Sequence, residues 1–266
     1  MTALDVVALG LVQGITEFLP ISSSGHLVIS QQILGVDEPG VILEVTLHFA
    51  TILAVLAVFR KDILGIFGAV GRWIARNNGD GDKEGLRLAW LIVVGSLPAA
   101  VAGLAFKPMI EDAFDSVLTV GFLLGVTGLI LFVGSRLTGH RQVDEVGAVD
   151  ALAVGAAQSF ALLPGISRSG STIVAALGRR MDPLLAAKYS LLLSVPAVLG
   201  ANLLELPGSE SNGAPWGLLA LGMTVAFVSG VAAIKLLIQA VLRRQFHWFA
   251  LYCVIVGTAV VIAKLT

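Results

Sequence analysis

Charge is what this sequence has least of. Only 13% of its 266 residues are Asp, Glu, Lys or Arg, against roughly 25% in a soluble domain, and a solvated globular fold is thereby excluded. The 17 basic and 18 acidic residues leave a net charge of −1. With no basic excess to hold a polyanionic backbone, no nucleic-acid partner is expected. Cysteine is nearly absent: Cys253 stands alone in an apolar run, which rules out an intramolecular disulfide and a cysteine-based zinc site. A basic n-region and a small-residue cleavage site are also missing from the N-terminus, so no removable signal peptide is expected. What the chain has in quantity is apolar side chains, 56% of the total, at a mean hydropathy of +0.92. Its solvent is the bilayer.

Six apolar runs, near 41–60, 86–106, 116–134, 184–205, 216–242 and 247–264, are each long enough to cross the hydrocarbon core as a helix of about 20 residues. Two further segments, 3–38 and 148–180, are apolar but broken by Pro, Gly and Ser. Ser22-Ser23-Ser24-Gly25 and Gly165-Ile166-Ser167-Arg168-Ser169-Gly170 would expose unpaired backbone groups to lipid. Such backbone is tolerated at membrane depth only inside protein or beside a watery cavity. Both segments therefore read as re-entrant hairpins: a helix, a polar turn and a second helix.

Lys and Arg in the short loops predict orientation. Loop 61–85 carries Lys61, Arg72, Arg76 and Lys83, and loop 135–147 carries Arg136 and Arg141. Arg179 and Arg180 follow the second hairpin, and Arg243 and Arg244 mark the last turn. These belong to the cytoplasm. The stretches 107–115 and 206–215 hold Glu111, Asp112, Asp115 and Glu210 against a lone Lys107, so they face out. Both termini then lie outside, the first hairpin enters from outside, and the second rises from the cytoplasm.

The two broken segments also echo one another. Asp5, Gly10, Gln13, Ile21, Ser22, Ser24 and Gly25 fall on Asp150, Gly155, Gln158, Ile166, Ser167, Ser169 and Gly170 at a constant offset of 145 positions. A second echo is Ser96-Leu97-Pro98-Ala99 with Ser194-Val195-Pro196-Ala197. One hairpin plus three spans per half is an odd crossing number, so the second half enters the bilayer upside down. The expected architecture is an all-α integral membrane protein, a single membrane domain over 1–266. It has six transmembrane helices plus two re-entrant helical hairpins in an inverted-topology repeat, with halves 1–134 and 148–266. Such folds place their site at the repeat interface, near the midplane.

The hairpins carry the chemistry. Glu17 costs about 2.5–3.5 kcal/mol in a membrane segment unless it faces a cavity or partner. Gln13 lies four residues earlier, on the same helical face. Pro20 ends that helix, Ser22, Ser23 and Ser24 supply hydroxyls, and Gly25 allows close backbone approach. His26 follows as a base, an acid or a cation. The second hairpin contributes Arg168, a planar fork suited to phosphate, among Ser167, Ser169, Gly170, Ser171 and Thr172. A helix beginning near Ser171 would add its positive dipole end. The result is an anion cradle, or else an Arg168–Glu17 pair that neutralises two buried charges. Elsewhere, Glu44 and His48 read as lying near the mouth or, as the default, as a pair along one helix face. Asp182 and Lys188 read as interfacial, Asn202 and Gln239 as interhelical hydrogen-bonding groups, and Trp73 and Trp248 as belt residues.

Gln13-x-x-x-Glu17 running into Phe18-Leu19-Pro20-Ile21-Ser22-Ser23-Ser24-Gly25-His26-Leu27 resembles the first signature of the bacterial undecaprenyl-diphosphate phosphatases. Pro164-Gly165-Ile166-Ser167-Arg168-Ser169-Gly170-Ser171-Thr172 resembles their second. Gln13 departs from the doubly acidic form of the first signature. The resemblance covers the whole chain. It implies removal of the terminal phosphate from a C55 polyprenyl diphosphate in the bacterial plasma membrane, with the site open to the periplasmic side. It also implies recycling of the carrier lipid for peptidoglycan synthesis, bacitracin resistance and dependence on a divalent cation such as Mg²⁺ or Ca²⁺.

On this reading Glu17, Ser23, His26 and Arg168 are the catalytic residues. Ser22, Ser24, Gly25, Ser167, Ser169, Gly170 and Thr172 bind the phosphates, and Glu17 with Gln13 holds a metal. Either Ser23 or His26 attacks phosphorus, or water attacks directly. The partners expected are the lipid substrate, the bilayer and, as one assembly, a homodimer. A polyprenyl-phosphate flippase using the same cavity is the alternative. An intramembrane serine protease would not need Arg168, and no GxSxG elbow is present.

Overall fold

The computed structural model describes residues 2–35, 41–77, 79–205 and 215–265; Glu210, its acidic loop over 206–214 and the last residues of the 3–38 hairpin lie outside them. Among the described residues the only regular elements are helices, joined by turns, with one isolated bridge between Arg141 and Met181. Five helices are long and apolar enough to cross a membrane, and a sixth if one bent pair counts as a span. They are α5 (Lys83–Ala105), α7 (Val117–Gly134), α10 (Pro183–Glu205), α11 (Trp216–Leu242) and α12 (Phe246–Leu265). The bent pair is α3 (Val41–Val58) and α4 (Arg60–Ile74), which meet at 81°.

The expected loops 61–85 and 107–115 are largely helical, as α4 and α6 (Lys107–Phe114). In α4 the apolar residues recur at helical spacing, and Ala69 is buried against α5 beside Gly85. Its charged residues made that periodicity easy to miss.

The two broken segments form helix pairs: α1 (Ala3–Phe18) with α2 (Ser23–Leu34), and α8 (Ala148–Phe160) with α9 (Arg168–Gly178). The same device starts each pair. The Asp5 carboxylate accepts the Thr2 N–H at 2.6 Å, and the Asp150 carboxylate accepts the Gly147 N–H at 2.9 Å, satisfying a donor that the helix start leaves unpaired. α1 packs along α11, with Gly10 against Gly222 and Gly14 against Ala226. α8 packs along α5, with Gly155 against Gly95 and Pro98. Small residues are what let these axes approach. α7 and α12 cross through Gly121, Gly128 and Gly257. The second echo does not align with the first. Pro98 lies in α5, the second long helix after its hairpin, and Pro196 in α10, the first after the other.

Asp150 anchors the base of the second pair. Arg141 donates to its carboxylate at 3.1 and 2.9 Å, and Arg179 at 2.6 Å. Burial pushes this carboxyl up, but the hydrogen bonds from Arg141, Gly147 N–H and Arg179 outweigh it and bring it down to about 2. A carboxyl held below its ordinary value contributes stability that is full above about pH 4 and is lost as pH falls toward 2. Asp150→Asn is therefore expected to cost about 1–3 kcal/mol at pH 7 and to flatten the fall in melting temperature between pH 4 and 2, read by thermal unfolding in detergent.

Candidate active site

The tips of the two helix pairs meet. α1 must end before Pro20, which cannot donate, and the chain turns through Ser22 at φ +70°. A serine there stores strain of about 1–3 kcal/mol. Ser22 caps α2 by accepting the Gly25 N–H at 3.3 Å, and it also accepts the Gly165 N–H of the other tip at 3.1 Å. Ser167 caps α9 in the same way, accepting the Gly170 N–H at 3.1 Å. Thr127 of α7 braces the second tip, donating to the Gly165 carbonyl at 2.7 Å and accepting the Ser167 N–H at 3.0 Å. α9 thus begins at Arg168, three residues before the expected start at Ser171, because Ser167 supplies the cap.

Gly165 has φ +98°, and a Cβ there would lie 2.6 Å from the Val120 carbonyl oxygen. Gly165→Ala is expected to destabilise by about 1–3 kcal/mol and to lower activity by displacing Arg168, as melting and turnover measurements would show.

Glu17 sits where the tips converge, at the end of α1, buried. Ser23 donates to its Oε2 at 2.7 Å and Gln13 Nε2 donates to the same oxygen at 2.9 Å. Arg168 Nη2 contacts Oε1, and Arg168 Nη1 donates to the Ser194 carbonyl of α10 at 3.2 Å. One carboxylate therefore joins a hydroxyl from its own half to a guanidinium from the other. Ser23 is only half-buried, and its hydroxyl is already bonded to a base, the arrangement nucleophilic catalysis requires.

His48 does bond back to Glu44, but through the main-chain carbonyl and not the carboxylate, and its ring also reaches the site. Its Nδ1 lies 2.9 Å from the Glu44 carbonyl and its Nε2 points at Glu17 Oε2, 3.9 Å away. Glu44 instead accepts from Gln31 at 2.6 Å. Helical spacing in α3 could not reveal that this face meets α1.

His26 is not at the Ser23–Glu17 contact. Its Nδ1 lies 2.7 Å from the Ser22 carbonyl and its Nε2 2.8 Å from the Tyr252 hydroxyl. The remaining expected phosphate ligands mostly hold the tips together. Ser22 and Ser167 are caps, Gly25 abuts Gly165, and Gly170 abuts Pro20. Ser169 reaches the Leu19 carbonyl at 3.4 Å, and Thr172 bonds Ser190 at 2.6 Å. Ser24 is half-buried, 3.3 Å from the Ser22 hydroxyl.

For a divalent cation the donor set is small but chemically apt. No group of three or more His, Cys, Asp or Glu residues gathers among the described residues. Gln13 Oε1, however, is buried without a hydrogen-bond partner beside the Glu17 carboxylate. Two such oxygens suit a hard cation that takes its other ligands from phosphate and water.

Known proteins are similar to this sequence over nearly the full chain. Residues 6–259 match the family described as bacitracin resistance protein BacA. The undecaprenyl-diphosphatase of Desulfosudis oleivorans is 45% identical over 265 residues, covering 97% of both chains. That of Halothermothrix orenii is 41% identical, covering 98% of both, and that of Alkaliphilus metalliredigens is 37% identical, covering all of both. With its signature residues gathered where two helical pairs touch, and with relatives of this identity and coverage, the chain belongs to the bacitracin resistance protein BacA family.

Proposed function

We propose that this protein removes the terminal phosphate of undecaprenyl diphosphate, the reaction its relatives' names denote, and that the Glu17–Ser23–Arg168 contact performs it. The observation that carries the assignment is the 2.7 Å hydrogen bond from Ser23 to a carboxylate that also holds Arg168. A carboxylate clamped by a guanidinium is a poor base. The incoming diphosphate competes for the Arg168 fork, and transfer of Arg168 to the phosphate frees Glu17. Ser23 Oγ then attacks the terminal phosphorus and its proton passes to Glu17. The bridging P–O bond breaks, and undecaprenyl phosphate leaves. Glu17 passes that proton to the departing phosphate and is again a base. It then takes a proton from water, whose oxygen attacks phosphorus. The Ser23 Oγ–P bond breaks, and the proton returns through Glu17 to Ser23 as orthophosphate leaves. Arg168 stabilises charge on the equatorial oxygens in both steps. Ser23 is favoured over His26 as attacker because both imidazole nitrogens are engaged elsewhere.

Glu17 and Gln13 Oε1 would hold the cation, Mg²⁺ or Ca²⁺, which when bound neutralises charge on the diphosphate. The proposed topology has six spans and two re-entrant hairpins in inverted repeats over 1–134 and 148–266, with the site open to the periplasmic side of the plasma membrane. Three features support it: the matching starts of α1 and α8, their matching packing on α11 and α5, and the Lys and Arg of the loops. A homodimer is the proposed assembly. The flippase alternative finds no support in the relatives' names.

Detergent-purified protein is expected to release phosphate from undecaprenyl diphosphate, to lose most of that activity with chelator and to regain it with Mg²⁺ or Ca²⁺. Absence of release from an intact, folded preparation would contradict the assignment.

A further inference from the structure

The contact between His26 and Tyr252 has no part in the reaction as written above, yet its geometry is specific. Tyr252 lies on α12, 226 positions from His26, with its hydroxyl 2.8 Å from Nε2. The two rings stack at 5.6 Å between centroids and 12° between planes. On the other side of the ring, Nδ1 is 2.7 Å from the Ser22 carbonyl oxygen. A carbonyl can only accept, so Nδ1 carries the hydrogen. In the neutral ring Nε2 is then an acceptor, and the Tyr252 hydroxyl is the donor. The imidazole is thus held in one tautomer and one plane, between α12 and the carbonyl of Ser22, the residue at φ +70°. Ser23, whose hydroxyl bonds Glu17, follows directly.

We propose that Tyr252 is a positioning residue for Ser23, acting through His26. Its hydroxyl fixes the imidazole, the imidazole's Nδ1–H holds the strained Ser22 carbonyl, and that peptide sets the direction in which Ser23 presents its oxygen to Glu17 and to phosphorus. A second consequence is that Nε2 is capped and does not accept a phosphoryl group. The effect on turnover rests on the phosphatase reading; the hydrogen-bonded tie does not.

Diethyl pyrocarbonate acylates an imidazole nitrogen that has a free lone pair, and peptide mass spectrometry reads each histidine separately. In the wild-type protein His26 is expected to label far more slowly than the exposed His140 and His247. Tyr252→Phe keeps the stacked ring and removes the donor. His26 labelling should then rise by about tenfold, the factor set by one neutral hydrogen bond, with His140 and His247 unchanged as internal standards of folding. In the same variant kcat for phosphate release should fall about tenfold with little change in KM.

Wild-type His26 labelling as fast as His140 and His247, or unchanged labelling in Tyr252→Phe, would overturn the tie. Faster labelling with unaltered kcat would overturn the positioning role. Wild-type protein that releases no phosphate would sink the phosphatase reading and leave the labelling result to decide the tie alone.

Discussion

Arg168→Ala is expected to lower phosphate release by about a thousandfold or more, the scale on which removing a transition-state cation is felt. Arg168→Lys should recover little of it. The guanidinium spans two acceptors, the Glu17 carboxylate and the Ser194 carbonyl, and an ammonium lacks the planar fork to do so. The alanine variant carries a second cost. The side chain of Glu17 is only 5% exposed, and stripping its cation leaves a buried, unpaired charge worth about 3–5 kcal/mol of stability. The two effects separate in the double variant Arg168→Ala/Glu17→Gln. Its melting temperature should recover toward wild type, because the orphaned charge is gone, while its activity stays at the floor. Recovery of both would mean that the pair only neutralises itself.

Glu17→Gln alone is the second large effect. It preserves the size of the side chain and a hydrogen-bonding partner for Ser23 but removes the base. Loss of general-base catalysis is worth about 10²- to 10⁴-fold, and it should appear in kcat, since Arg168 remains to bind phosphate. Glu17→Asp withdraws the carboxylate by one methylene from a hydroxyl now at 2.7 Å and should fall between wild type and the glutamine variant. A Glu17→Gln protein retaining more than a tenth of wild-type turnover would place the base elsewhere, and His48, with Nε2 3.9 Å from the same oxygen, would be the first group to test.

Much of this is legible in the sequence. Polar residues are conspicuous in an apolar chain because each one costs free energy, so Glu17, Ser23 and Arg168 marked themselves, and the serine-rich breaks marked the tips. Helix packing direction was not legible. His48 looked locally paired because spacing along α3 says which residues share a face and not which neighbour the face meets. Tyr252 carried no local signal at all; its meaning lies in a contact across 226 positions. The hydroxyl-rich tips have a structural task that spacing along the chain does not show. Two closely approaching tips need their own backbone donors satisfied, and Ser22 and Ser167 accept those N–H groups, whereas Thr172 bonds the Arg168 carbonyl and the Ser190 hydroxyl. The α4 and α6 stretches read as loops because their charges hid a helical period that packing against α5 and α7 makes visible.

The most direct measurement is capture of the covalent intermediate. Purified protein is mixed with undecaprenyl diphosphate labelled in its terminal phosphate, quenched in acid within the first turnover, and mapped by mass spectrometry. An acid-stable phosphoryl group on Ser23, abolished in Ser23→Ala and absent in Arg168→Ala, is the predicted result. Label transferred instead to His26, captured by a quench that preserves phosphohistidine, would contradict the account.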